Sequence, residues 1–182
     1  MGNQGMKKAI YVITGVMASG KSTVAELLSR SLERCVHLRG DVFRKMIVTG
    51  REDMCENPSA EALSQLDMRY AIAAKAAITY YEYGFSVVVQ DNFLGEKLLY
   101  FVELLGRCTK YVIVLNPDLG AIKQREQNRA KKGYVGFSAE SLYRTFLNET
   151  PRIGLWLDTS KLSAEETVGE IRKRAHSEAR VQ

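Results

Sequence analysis

Gly15, Gly20, Lys21 and Ser22 stand in the spacing Gly-x4-Gly-Lys-Ser within "GVMASGKST", which is the complete Walker A pattern. The two glycines let the backbone curl until successive N–H groups point inward, and the positive end of a following helix adds to the field that holds phosphate oxygens. Lys21 supplies a charge that reaches β- and γ-phosphates, and the Ser22 hydroxyl suits a Mg²⁺ position. Thr23 adds an α-phosphate contact. The pattern therefore predicts a nucleoside triphosphate site running from Gly15 through Val16, Met17, Ala18, Ser19, Gly20, Lys21 and Ser22 to Thr23.

Further along, "HLRGDVFRKMI" sets Asp41 and Arg44 three apart where an apolar run gives way to a helical one. Two chemistries fit this pair: a helix N-cap beside a surface charge, or the base and clamp of a phosphate-transferring enzyme. Asp91 closes the apolar run "FSVVVQD", the position of a Walker B carboxylate that serves a Mg²⁺ shell or the acceptor; the alternative is a turn carboxylate. In "QREQNRAKKG" Arg125 and Arg129 are four apart, on one helix face ahead of a glycine loop. The alternative there is a solvated helix with Glu126 and Lys131 as neighbours.

Alternating elements must position these groups. Apolar strands are expected at "AIYVITG" (9–15), "CVHLRGD" (35–41), "FSVVVQD" (85–91), "KYVIVLN" (110–116) and "IGLWLDT" (153–159). Helical spacing covers 21–34, "VFRKMIV", Ala60 to Tyr83, 96–106, 118–132 and "SAESLYRTFLNE", and a capping box of Ser163 and Glu166 opens a last helix. Five strands alternating with helices argue for an α/β fold with a parallel sheet covered on both faces. Right-handed crossovers then bring the loops that follow the strands to one edge, where ligands bind.

With 182 residues and ordinary globular composition, the chain reads as one domain, 1–182. No apolar run approaches a membrane span, and "MGNQGMKK" is too short and polar for a signal peptide. Met6 stands where myristoylation favours Ser or Thr. Cys35, Cys55 and Cys108 are odd in number and widely spaced, which suits reduced thiols in a cytoplasmic protein. His37 and His176 have no companions for a metal set, and His37 reads as structural. The net charge of +5 is compatible with anionic ligands such as nucleotides. The tail "IRKRAHSEAR" is expected to be the charged end of the last helix.

A GTPase switch would need NKxD and DxxG, whereas this chain has "VLNPD" and "DNFLG"; a mechanical ATPase usually brings a larger core. Walker A, "RGDVFR" after the second strand, "VVVQDNFLG" after the third, an arginine-bearing helix and a terminal "LDTS" together resemble the chloramphenicol phosphotransferase and zeta-toxin-like group of P-loop kinases. The resemblance covers nearly the whole chain. It implies a three-layer P-loop NTPase fold, a five-stranded parallel sheet in the order 2-3-1-4-5, and a helical lid at about 125–138.

By that resemblance Asp41 matches the carboxylate that accepts the acceptor hydroxyl's proton, and Arg44 holds the γ-phosphoryl or the acceptor. Asp91 and Ser22 would share the Mg²⁺, and Arg125 and Arg129 would close over the transferring group. The "LDTS" turn would lie against the adenine. In the expected strand order, segments 42–75 and 92–100 cover the acceptor side, with Arg51, Arg69 and Tyr70 as candidate contacts. Met46, Met54 and Met68 would form either an adaptable apolar wall there or plain core.

The leading expectation is an ATP- and Mg²⁺-dependent kinase acting on a hydroxyl of a small molecule of antibiotic, sugar or nucleoside type. The P-loop interior "VMAS" and segment 44–70 depart from the chloramphenicol enzyme, so that acceptor does not carry over. The alternatives are a polynucleotide 5′-hydroxyl kinase, suggested by Asp41-x-x-Arg44 and the basic charge, and a nucleotide-binding regulator without transfer activity.

Overall fold

The computed structural model describes residues 6–128 and 137–182. Five parallel strands lie in the order β2-β3-β1-β4-β5: β1 (Ile10–Thr14), β2 (Cys35–Arg39), β3 (Ser86–Gln90), β4 (Lys110–Leu115) and β5 (Leu155–Leu157). This is the expected order. The central strands β1, β3 and β4 are buried along their whole length, which is why their sequences are continuously apolar rather than alternating.

Alternate residues of each strand serve opposite faces. On one face Ile10, Val12, Val87, Val89, Val112 and Val114 pack beneath α3 (Ala60–Glu82), α4 (Lys97–Leu104) and α6 (Ala139–Glu149). On the other, Tyr11, Ile13, Val88 and Ile113 meet α1 (Lys21–Arg30) and α7 (Ala164–Arg174). The three layers follow from this division. Ser59 caps α3 by accepting from Ala62 N at 3.0 Å, and the Ser163–Glu166 capping box forms as expected.

Edge strand β2 is fastened to α1 through Glu26. The carboxylate meets His37 Nδ1 at 3.0 Å, Arg39 Nη2 at 3.0 Å and Arg30 Nε at 2.9 Å. These hydrogen bonds, that to His37 foremost, hold the Glu26 pKa down at about 2. Burial outweighs Glu26 at the imidazole and pushes the His37 pKa below its ordinary value. His37 is thus a strand-to-helix fastener, in keeping with its structural reading.

Three elements depart from expectation. The second helix, α2 (Gly40–Lys45), begins at Gly40, so Asp41 lies inside its first turn and Arg39 occupies the cap position. Asp41 is therefore not an N-cap. The charged helix after β4 is shorter than 118–132: α5 (Leu119–Gln127) ends at a C-cap on Asn128. The C-terminal tail is not simply the end of a helix. After α7 a π-helical turn at Ala175–Ala179 leads into a two-residue strand, β6 (Arg180–Val181), antiparallel to β4 with Lys110 opposite Val181. Buried Ala175 and Ala179 let the tail approach closely, and His176 Nδ1 lies 2.9 Å from the Tyr111 hydroxyl. A two-residue strand leaves no period to read.

No helix among the described residues is long and apolar enough to cross a membrane. Cys35, Cys55 and Cys108 are free thiols.

Candidate active site

The first βα connection is built as a cradle. Gly15 has φ +146°, and a Cβ there would stand 2.5 Å from Leu115 O and 2.7 Å from Ser19 Oγ. No larger residue fits. Ala18 takes a left-handed φ of 64°, Gly20 caps α1 at φ 95°, and Ser19 N donates to Val16 O at 3.2 Å. The Val16 side chain is wholly buried and anchors the loop from below. Lys21 is also buried, and its ammonium donates to the carbonyls of Gly15 and Val16 at 2.8 and 2.7 Å. Ser22 and Thr23 are exposed at the mouth of the loop.

The loop opens into a cleft of about 960 Å³. Met17 to Thr23 line one part; Asp41, Arg44, Arg69, Tyr70 and Asp91 line another. The sheet edge therefore gathers most of the expected site residues into one space.

Asp91 follows β3. Its Oδ1 accepts from Asn92 N at 2.7 Å, while Oδ2 is fully enclosed with no hydrogen-bond partner among the described residues. A Cβ on Gly40 would fall 2.0 Å from that Oδ2, so the end of β2 and the end of β3 meet without a side chain between them. Burial raises the Asp91 pKa, with Asp41 adding to the rise, against the Asn92 hydrogen bond and the charges of Arg69 and Lys21. Two predictions arise here. Gly40→Ala forces Asp91 aside and is expected to destabilise the fold by about 1–3 kcal/mol, the usual cost of overpacking, readable as a lower denaturation midpoint. Asp91→Asn removes a carboxylate whose ionised form the fold disfavours. In metal-free buffer at pH 7 it is expected to raise Tm, and the gain should vanish at low pH, where wild-type Asp91 is protonated in both folded and unfolded chains.

Asp41 is half-exposed and held by two cations. Arg44 Nε and Nη2 donate to Oδ1 at 3.0 and 2.9 Å, and Lys45 Nζ lies 2.8 Å from Oδ2. Partial burial works to raise the Asp41 pKa, but the hydrogen bonds and charges of Lys45 and Arg44 outweigh it and hold the pKa below the ordinary carboxylate value. Arg44 reaches onward to Asp53, with Nη1 2.6 Å from Oδ1. That contact holds the Asp53 pKa down as well, with Arg44 as the main cause. Gln65 fixes the loop carrying Asp53: its Nε2 donates to Gly50 O at 2.7 Å and its Oε1 accepts from Glu52 N at 2.9 Å.

The acceptor-side candidates divide. Arg69 is nearly buried and lines the cleft. Tyr70 lines it too but is anchored, its hydroxyl donating to Asn92 O at 2.9 Å and its ring 4.9 Å from that of Phe93. Arg51 stays outside the lining and lies 3.6 Å from Asp53. Of the three methionines Met54 faces the cleft, whereas Met46 and Met68 are exposed.

Arg125, at the end of α5, bridges two loops. Its Nη1 donates to Ser19 O at 3.3 Å and its Nη2 to Thr159 O at 2.6 Å. Arg129 and residues 129–136 of the lid expected at about 125–138 lie outside the described residues. Asp158 is a turn carboxylate, accepting from Ser160 N at 2.8 Å.

Residues 10–143 match the model of the AAA domain family. The chain belongs to that family. Solved structures of the same architecture include a sugar kinase from Janibacter sp. HTCC2649, 17% identical, with 92% of this chain and 94% of that one covered at a TM-score of 0.66. The tunicamycin resistance protein of Deinococcus radiodurans is 15% identical, with 97% and 99% covered at a TM-score of 0.67. The Mycobacterium tuberculosis APS kinase is 16% identical, with 94% and 99% covered at a TM-score of 0.62. No curated protein matches the sequence. At such identities the likeness is one of fold, and with the strand order it makes this AAA domain a P-loop NTPase-type α/β protein.

The AAA domain also places in its cleft residues that the sequence did not single out. Asp53 comes from a loop without periodicity. Thr145 and Glu149 come from α6, whose end is tied to the loop after β3 by Gly95 N donating to Thr150 Oγ1 at 3.0 Å. Lys97 lies 2.5 Å from Asp67, joining α4 to α3.

Proposed function

We propose that this AAA domain is an ATP-dependent kinase that transfers the γ-phosphoryl group to a hydroxyl of a small molecule. One observation carries the reading: the cradle residues Lys21 to Thr23 and the Asp41–Arg44 pair line the same cleft. Backbone N–H groups of residues 16–21 and the start of α1 would hold the phosphates, with Lys21 at the transferring end. The acceptor hydroxyl would donate to Asp41, its oxygen would bond to the γ-phosphorus, and the bond to the β–γ bridging oxygen would break, leaving ADP with the electron pair. Asp41 would then take the proton. Its lowered pKa keeps it an acceptor at neutral pH, where its work is to orient the alcohol and take the proton late, as a loose transition state requires. Arg44, already on Asp41, would steady that carboxylate and face the transferring group.

The residues also fit Mg²⁺. Asp91 Oδ2 is a buried oxygen without a hydrogen-bond partner among the described residues, and Ser22 opens to the same cleft. Such sites take few protein ligands because substrate phosphates and water supply the rest. When bound, the ion would neutralise charge on the phosphate oxygens. Arg125 would brace the cradle against the "LDTS" turn.

Paired charges on the acceptor side favour a small acceptor over a polynucleotide. Arg44 is occupied by Asp41 and Asp53, and Lys97 by Asp67. A groove that follows a polyanion releases counterions through many available cations. Labelled ATP offered with a panel of alcohols, sugars, nucleosides and antibiotics should label one class, identified by product mass. Transfer to 5′-hydroxyl oligonucleotides with a steep salt dependence would favour the polynucleotide alternative. Slow ADP release alone, unchanged by Asp41→Asn, would make the protein a regulator.

A further inference from the structure

Five cationic side chains among the described residues line the cleft. Four are engaged: Lys21 by loop carbonyls, Arg44 by two carboxylates, Lys97 by Asp67, and Arg125 by Ser19 and Thr159. Arg69 is the fifth. It is 9% exposed, its Nε is fully enclosed, and its guanidinium makes no hydrogen bond or ion pair with a described residue. A guanidinium cannot shed its proton to escape this position, and a buried charge normally carries a partner. Neither of the two carboxylates whose charge it feels bonds to it. Asp53 and Asp91 both lie within the reach of the Arg69 charge. Yet Asp53 is taken by Arg44, and Asp91, whose Oδ1 accepts from Asn92 N and whose Oδ2 lies against Gly40, makes no hydrogen bond to the guanidinium.

The position is rigid as well as unfilled. Arg69 lies within the 23-residue helix α3, one turn beyond Leu66 and next to Tyr70, whose hydroxyl is fixed to Asn92 O. It stands on α3, in the segment expected to cover the acceptor side, and lines the same cleft as the cradle. The geometry points to Arg69 as the seat of an anionic group carried by the acceptor: a carboxylate or phosphate monoester on a hydroxyl compound, gripped by two guanidinium N–H groups while the hydroxyl lies toward Asp41. A planar fork of donors suits either oxyanion. This inference rests on the kinase reading and narrows its acceptor to anionic alcohols.

The test has two arms and uses the full chain. In the first, β,γ-imido-ATP with Mg²⁺ saturates the cradle, and inorganic phosphate or acetate is titrated by calorimetry. The wild type should bind at least one of the two. Arg69→Gln should weaken that binding at least tenfold, Arg69→Lys should restore part of it, and the affinity for imido-ATP should stay within twofold in both. In the second arm, labelled ATP is offered with glycerate against glycerol, gluconate against glucitol, and glucose 6-phosphate against glucose. Transfer confined to charged members supports the inference, and the preferred pair tells carboxylate from phosphate. Equal use of neutral members overturns it, as does failure of the nucleotide-loaded wild type to bind either anion. A loss of imido-ATP affinity in Arg69→Gln overturns it too, by assigning the guanidinium to the nucleotide. Failure of the wild type to bind imido-ATP at all would instead bring down the kinase reading. Melting curves of the two variants separate misfolding from loss of the site.

Discussion

Lys21→Ala is expected to reduce phosphoryl transfer by about 10²–10³-fold or more, the range seen when a single preorganised donor to developing charge is removed. The ammonium sits inside the cradle, bonded to Gly15 O and Val16 O. Its loss therefore also leaves two carbonyls without their donor, a cost of about 1–3 kcal/mol for each group left buried and unsatisfied. Lys21→Arg keeps the charge but cannot fit its fork where one ammonium meets two carbonyls. It should recover stability more than activity. Labelled-ATP binding, turnover and a denaturation curve on the three proteins check this, and full activity in Lys21→Ala would remove the cradle from the chemistry.

Asp41→Asn should leave ATP binding nearly intact while lowering turnover about 10²–10⁴-fold, the usual contribution of a positioned base. Asparagine keeps the shape of the side chain but leaves Arg44 and Lys45 without the anion they share. Arg44 retains Asp53, which limits the structural damage. In the wild type, the fall of activity on the acid side should come below the ordinary carboxylate range, because the folded state lowers the Asp41 pKa. The same shift stabilises the fold above the unfolded pKa, and that contribution is lost as pH falls through the folded one. Equal losses of ATP binding and turnover in Asp41→Asn would make the residue structural.

Much of this was legible because it is local. The Walker A spacing and the apolar runs that become β1, β3 and β4 are contiguous patterns, and a strand followed by an amphipathic helix leaves little freedom for the loop between them. Asp91 was legible as the last residue of an apolar run. What escaped depends on packing between distant segments. Asp53 is placed by Gln65 acting across fifteen residues on Gly50 and thirteen on Glu52. That Arg69 is enclosed and makes no hydrogen bond to a described residue shows only in the packing. Arg51 and Arg69 are both basic residues in one acceptor-side segment, and only burial separates the surface one from the enclosed one. β6 is too short to carry a period, and the basic residues before it suggest a helix end as readily as a turn back to the sheet.

The contact between Gly40 and Asp91 has a consequence for how such a protein diversifies. Because the ends of β2 and β3 meet there, Asp91 is set by the sheet edge, while Asp41, next to Gly40, is held by Arg44 and Lys45 of its own helix. On the proposed kinase reading, the cleft-lining residues of α3, α4 and α6 would be exchangeable for a different acceptor while Gly40 keeps Asp91 in place. Specificity would then be a replaceable wall around a fixed frame, and engineering aimed at a new acceptor would belong on those helices, with Gly40 left alone.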